Sequence, residues 1–507
     1  MPIFILTARH LVSSLCVVLG TAVGLPVAAA DLTIENGRFW KDTSGTPIYS
    51  QGGGMLKVGD TWYWYGAKYE EAVSYAKDPT VFGARTHFAA VTAYSSKDLV
   101  NWKFEGDVIK AAPAGQIFER GAWLGRMGVV YNAKTRKYVL LTQYSSKSAG
   151  GGVLFATSDS PAGPFVYQHL QPRIENVASP TSGDQTVFVD DDGQPYLIFS
   201  NNGDRRRLYV APLRSADFLQ VEAATQIYHA PAGGREGNAM FKRDGLYYFC
   251  SSDLHGWNAS RSFYMTSTSI TGPYSAEKLI AGTDLDFSHV SQNGFFIPVQ
   301  GSAGTTVLYA GDRWSNFAGN GHGYNIWTPL SFDGKAPVFN SLSQFSLDAA
   351  KGTWRVGAGN NYVLNPGFEA DRVAQSHLTG WVTSWTSLKG PSPIVNALGG
   401  RTGRWAMTLA HTGETMGSVI QNVTAPNGAY ILRAWVRSSG GQRVARVYAL
   451  ADGAPEVARQ LDTASKDWTE ITLPGVTVRE GRIQVGFYSE GKDGQWLQVD
   501  DISLVRE

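Results

Sequence analysis

Cysteine is nearly absent from this chain. Its 507 residues include two, Cys16 and Cys250, and the first lies in an N-terminal segment expected to be removed. Cys250 would then stand alone, which excludes an intrachain disulfide, and its place in an aromatic run suits a buried, inert thiol. Charge is sparse and even, with 44 Lys and Arg against 43 Asp and Glu. Loss of Arg9 with the leader leaves 43 of each. Such neutrality argues against nucleic acid or an anionic membrane surface as partner and suits an uncharged ligand. No apolar run beyond residue 30 is long enough to cross a bilayer. Sustained helical periodicity is missing as well from about 31 to 354, which leaves an all-β reading.

The first thirty residues carry Arg9 and His10, a charge-free run from Leu11 to Leu25, and Ala28-Ala29-Ala30 ahead of Asp31. That is the layout of an export signal over residues 1–30, so the expected destination is secreted or periplasmic. Leu15 before Cys16 speaks against a lipid anchor.

What is plentiful is glycine, 57 residues, and aromatic side chains, among them 15 Trp. They fall into a recurring phrase, a tight turn followed by a strand of aromatic and β-branched residues. It appears as TWYWYG after Gly59-Asp60, KYVLLTQ after Thr135-Arg136, QPYLIFS after Asp192-Gly193, LYYFCSS after Asp244-Gly245 and TTVLYAGD after Gly304. With Trp62, Tyr138, Tyr196, Tyr247 and Val307 as markers, the intervals are 76, 58, 51 and 60 residues. Five units at that period predict a five-bladed β-propeller over residues 31–357. After a linker at 357–361, short alternating strands predict a separate jelly-roll β-sandwich over 362–507, with eight or so strands.

In a propeller the innermost strands converge on one end of the axial channel, so chemistry should be assembled from different repeats. Blade by blade the candidates are Gln51 in the first and Glu119, with Arg120 and Arg126, in the second. The third offers Asp184, the fourth Glu236 between glycines, and the fifth Gln292 in SHVSQNG. Hydrolysis of a glycosidic bond needs one group that gives a proton and another that activates water or attacks.

Asp184 ahead of a strand and DDG turn, Arg235-Glu236-Gly237 ahead of a strand, and GDRW at 311–314 resemble glycoside hydrolase family 43. The likeness runs over roughly residues 36–350 and is strongest toward the branch containing exo-β-1,3-galactanases. It implies a five-bladed propeller and inverting hydrolysis, with Glu236 as general acid and Asp184 orienting it and raising its pKa. The family's water-activating Asp of the first blade is replaced here by Gln51. The galactanase branch shares that change and matches Gln292. A neutral amide is a poor base, so Gln292 is expected to position water, through an imidic tautomer. That branch also has a Glu directly before an Arg in the second blade, where this chain has Gly125-Arg126. Glu119 is the substitute candidate, and galactan and furanoside specificities both stay open.

Further candidates for contact with sugar are Gln51, Arg126, His255, Trp257, Arg313 and Trp314; His255 and Trp257 suit packing of their turn equally well. The opening NYVLNPGFE and closing WLQVDDISLVRE of the second domain resemble carbohydrate-binding jelly rolls, which implies a structural calcium held by Glu369, Asp500 and Asp501. Trp381, Trp385, Trp405 and Trp496 include possible sugar platforms. No cofactor is expected for catalysis. The expected protein is a monomeric, exported exo-glycosidase releasing galactosyl or arabinosyl units from an arabinogalactan-type polysaccharide. An arabinofuranosidase or galactofuranosidase is the alternative within the family, and a non-catalytic glycan-binding propeller is the alternative outside it.

Overall fold

The structure, a computed structural model, describes residues 32–78, 86–230, 233–315, 320–371, 373–387, 391–461 and 463–507. The expected export signal lies outside them. Five antiparallel sheets of four strands follow one another, each with its strands in chain order. Their first strands are Gln51–Val58, Trp123–Asn132, Ser182–Val189, Arg235–Arg243 and Gln292–Gln300. Each of these packs against the first strand of the next sheet, and the fifth returns to the first. This is a closed five-bladed propeller with those strands innermost.

The aromatic repeats explain why it closes. Every blade has two covered faces, so strands such as Thr61–Tyr69 and Leu246–Asp253 are buried along most of their length. Five apolar clusters result, one between each pair of neighbouring blades. The joint between the last and first blades holds Trp40, Trp64, Trp102 and Trp327, with Trp64 and Trp327 ring centroids 5.0 Å apart. Cys250 is fully buried in the joint between blades four and five. A short strand near the N-terminus, Thr33–Glu35, pairs antiparallel with Gln344–Asp348, which also pairs with Thr353–Val356.

Among the described residues two helical pieces interrupt the propeller, Glu70–Lys77 and the single turn Phe287–Val290. The second is left-handed: all four residues have φ between 50° and 56°. Backbone of that kind costs non-glycine residues roughly 1–2 kcal/mol each. Asp286 offsets part of it by accepting the His289 amide, and Ser288 by donating to the Ser260 carbonyl. The turn delivers the chain into Gln292.

Asn360 ties the linker back to the propeller by accepting the amides of Ser343 and Gln344, while Asn361 donates to the Ile502 carbonyl. Beyond it, two five-stranded antiparallel sheets face each other across one core, ten strands where about eight were expected. Trp381 and Trp405 belong to that core and are not platforms; Trp385 packs partly against it.

Candidate active site

Each innermost strand of the propeller breaks register at the same end. The shifts fall between Gln51 and Gly54, Leu124 and Met127, Ser182 and Gln185, Glu236 and Ala239, and Asn293 and Phe295. A bulge re-aims the side chain it carries, and here five of them turn polar groups toward one axial cavity. Gly237 shows why glycine follows the acid. Its φ is +56°, and a Cβ there would lie 2.3 Å from the Asn293 carbonyl oxygen.

The cavity has a volume of about 280 Å³, and Gln51, Arg126, Asp184, Arg205, Glu236 and Gln292 are among the residues that line it. Its apolar wall is a run of edge-on and stacked rings. Tyr69 stacks on Trp123 at 5.4 Å, Trp123 meets Trp257 at 5.5 Å, and Trp257 meets Trp314 at 5.1 Å. Aromatic faces of this kind suit the C–H faces of a sugar, and the polar floor suits its hydroxyls.

Arg126, only 3% exposed, organises the floor. It donates from Nε to Asp184 Oδ2 at 3.2 Å, from Nη1 to Asp312 Oδ2 at 2.6 Å and from Nη2 to Gln292 Oε1 at 2.9 Å. Asp312 also accepts the Gly52 amide. Asp184 further accepts the Gly237 amide at 3.0 Å and Arg205 Nη1 at 3.2 Å. Burial alone would raise Asp184, but the Arg126 and Arg205 cations and the Gly237 amide hold it below the usual carboxylate range. Burial pushes Asp312 up.

Glu236 behaves oppositely. Burial, then the negative charge of Asp184, push it up to about 8, against the opposing pull of Arg205, Arg126 and the Gln292 amide. It is therefore a protonated acid at neutral pH beside an ionised one. Its Oε2 accepts Arg205 Nη1 at 2.6 Å, and its Oε1 is buried without a hydrogen-bond partner.

Gln292 Oε1 receives two groups that can only donate, Arg126 Nη2 and Trp314 Nε1, the latter at 2.7 Å. Oxygen therefore faces them and the NH₂ end is turned toward Glu236. An imidic form would set an O–H against two donors, so the expected tautomer does not suit this network. Gln292 is a hydrogen-bond donor to the site, standing next to the acid rather than across from it.

Seven of the residues singled out from sequence meet here: Glu236, Asp184, Gln292, Gln51, Arg126, Trp257 and Trp314. Three do not. Glu119 lies four residues ahead of its blade's innermost strand, in a solvent-exposed turn where it accepts the Gly115 amide and the Ser148 hydroxyl. Those bonds hold its carboxyl below the usual range and away from the cavity. His255 is exposed, 3.3 Å from Asp253. Arg313 alternates with its neighbours along its strand and lies over the Tyr324 ring. Sequence reasoning missed Arg205, Tyr69, Trp123 and Asp312. Asp312 stood inside the GDRW motif already noticed, and Arg205 inside the run Arg205-Arg206-Arg207.

In the sandwich, Glu369 Oε1 accepts the amides of Arg404 and Trp405, and Asp500 Oδ2 those of Arg401 and Thr402. Asp501 pairs with Arg401. Burial first, with a smaller push from Asp501, raises Glu369 to about 7 and moves Asp500 in the same direction. Glu369 Oε2 is buried without a partner. Among the described residues no three His, Cys, Asp or Glu side chains form a metal-holding group, which leaves Glu369 Oε2 as the unpartnered carboxylate oxygen there. No helix among the described residues is long and apolar enough to cross a membrane.

The family model described as "Glycosyl hydrolases family 43" matches residues 53–307. The β-D-galactofuranosidase of Aspergillus niger is 28% identical over 221 residues, which are 41% of this chain and 62% of that protein. Arabinoxylan arabinofuranohydrolase of Bacillus subtilis is 27% identical over 218 residues, 36% of this chain and 40% of that one. The chain thus spans less than two thirds of the length of these curated relatives. Among solved structures, exo-β-1,3-galactanase from Phanerochaete chrysosporium with galactose superposes with a TM-score of 0.56 at 25% identity. That match covers 92% of this chain and all of the other. The exo-β-1,3-galactanase from Clostridium thermocellum, 23% identical with a TM-score of 0.56, covers 94% of this chain and all of its own and shares the fold.

Proposed function

Since the chain belongs to glycosyl hydrolases family 43, we propose that this glycosidase is exported, acts from the chain end of its substrate and inverts the anomeric centre, releasing galactosyl units from a β-1,3-galactan-type polysaccharide. The observation that carries the reading is the pair Glu236 and Asp184. A buried carboxylic acid kept protonated near neutrality by an ionised neighbour is what a leaving sugar oxygen requires. Glu236 gives its proton to that oxygen as the anomeric C–O bond breaks, and water adds to the anomeric carbon from the opposite face. Among the described residues no third carboxylate lines the cavity, so the Gln51 amide oxygen, buried without a partner, would hold the water. The proton it sheds and the one Glu236 regains are exchanged with solvent. A cavity of about 280 Å³ holds one terminal sugar more readily than a passing chain.

Gly125, in place of the acid that the galactanase branch carries before its Arg, supports a second reading within the family. A furanoside would then be the substrate, as in the β-D-galactofuranosidase relative. Hydrolysis of β-1,3-galactan and of nitrophenyl β-galactopyranoside, β-galactofuranoside and α-arabinofuranoside, with the product anomer followed by NMR, distinguishes them. Release of galactose as the inverted anomer is expected. Retention of configuration, or turnover of furanosides alone, would overturn the first reading. Glu236→Gln is expected to cost about 10²–10⁴-fold on poor leaving groups.

A further inference from the structure

Nothing in the proposed mechanism says which oxygen of Glu236 bears the proton or what keeps the carboxyl from turning. We propose that Arg205 is a positioning residue that assigns the two oxygens different tasks, fixing Oε2 so that the proton is presented from Oε1. The inference rests on the acid role given to Glu236.

Arg205 does not come from an innermost strand. It lies in the loop between Pro195–Asn201 and Arg207–Pro212 of the third blade, with φ of +53°. The loop is pinned from within: Asn201 donates to Asp204, and Asp204 accepts the Arg206 amide. The Arg205 carbonyl accepts the Arg235 amide at 2.8 Å, one residue before the acid. From this anchored backbone a single nitrogen, Nη1, reaches Asp184 Oδ1 at 3.2 Å and Glu236 Oε2 at 2.6 Å. It joins carboxylates from two blades.

The hydrogen bond bears on the proton's place. Nη1–H donates to Oε2, and a protonated carboxyl accepts best at its carbonyl oxygen, so this bond favours the acid's own hydrogen on Oε1. That oxygen is the one buried without a partner. The cation also works against protonation of Glu236, as do Arg126 and the Gln292 amide, while Asp184 favours it. These four groups, from blades two, three and five, are the charged and polar neighbours that face the carboxyl.

The test compares Arg205→Gln, Arg205→Lys and Glu236→Gln in the full chain, with β-1,3-galactobiose and nitrophenyl β-galactopyranoside as substrates. Removing the cation should move the high-pH limb of kcat/KM upward. It should lower activity on the disaccharide by about 10²-fold, the low end of what general acid catalysis is worth, and much less on the activated nitrophenyl glycoside. Arg205→Lys, which keeps the charge, should return the limb toward the parent position. A ¹³C titration of the Glu236 carboxyl, identified by its loss in Glu236→Gln, should shift upward in Arg205→Gln whether or not a substrate is turned over. An unmoved titration and limb in folded Arg205→Gln, or equal losses on both substrates, would overturn the assignment. If Arg205→Gln does not fold, Arg205→Met, which keeps the side chain's length without its charge, takes its place with the same readouts and the same refuting outcomes. Full activity of Glu236→Gln would instead remove the acid role itself.

Discussion

Asp184→Asn separates an electrostatic role from a merely steric one, because its effect must change with pH. The substitution keeps the shape of the side chain and removes the negative charge that helps hold Glu236 at about 8. A close charge typically moves a carboxyl by roughly 1–3 units. Taking about 2 units, or about 2.7 kcal/mol, Glu236 falls to about 6. At pH 7 the protonated fraction then drops from about nine tenths to about one tenth, and at pH 8 from a half to about one hundredth. At pH 5 the parent is almost wholly protonated and the variant about nine tenths so. The ratio of parent to variant kcat/KM should therefore grow roughly fiftyfold between pH 5 and pH 8, on top of any constant loss. Initial rates on nitrophenyl β-galactopyranoside across that range, with circular dichroism to check folding, measure it. A ratio that stays flat with pH would refute the coupling between the two acids. Folding needs that check because Arg126 and Arg205 lose a shared partner, and breaking a buried ion pair costs about 3–5 kcal/mol.

Glu119→Gln should leave kcat/KM within about twofold, since surface changes away from a site are near neutral; a loss as large as that of Glu236→Gln would return it to the reaction. Gly237→Ala should lower stability by about 1–2 kcal/mol from left-handed strain alone and further from the contact with the Asn293 carbonyl oxygen, read as a fall in Tm of the propeller transition. In the sandwich, Glu369 stands at about 7 against an ordinary 4.5, so the folded state binds more protons between those values. In chelator, stability should accordingly fall by about 3 kcal/mol as pH rises from 4.5 to 7 and level off above. We propose that calcium resides beside Glu369 Oε2; a hundredfold excess over Kd should add about 2.7 kcal/mol, and Glu369→Gln should abolish the gain. No rise in Tm with calcium would exclude it.

The architecture was legible because each blade interface demands the same thing of the sequence, an aromatic strand behind a tight turn. Glu236 and Asp184 were legible because they open innermost strands. Arg205 was not, since it reaches the cavity from a loop, and its neighbours Arg206 and Arg207 look identical to it in sequence. Arg206 donates instead to the Ala230 carbonyl. Glu119 misled for the converse reason. It sits beside Arg120 near the right strand, but four residues early, before the chain has turned inward. The orientation of Gln292 was beyond reach as well, because it is decided by Arg126 and Trp314, 166 and 22 residues away.

The short strand Thr33–Glu35 has a consequence for the order of events during synthesis. Its partner Ser346 follows Thr33 by 313 residues, so the seam cannot be drawn until all five blades have been made. Contacts so distant in sequence are slow to form. Until then the faces that join the first and last blades through Trp64 and Trp327 have no partner to cover them. Within the propeller those indoles are the last large apolar surface to leave water. A chaperone that escorts the nascent chain should therefore let go only after residue 348 has emerged, and chains released earlier should aggregate through the unfinished seam.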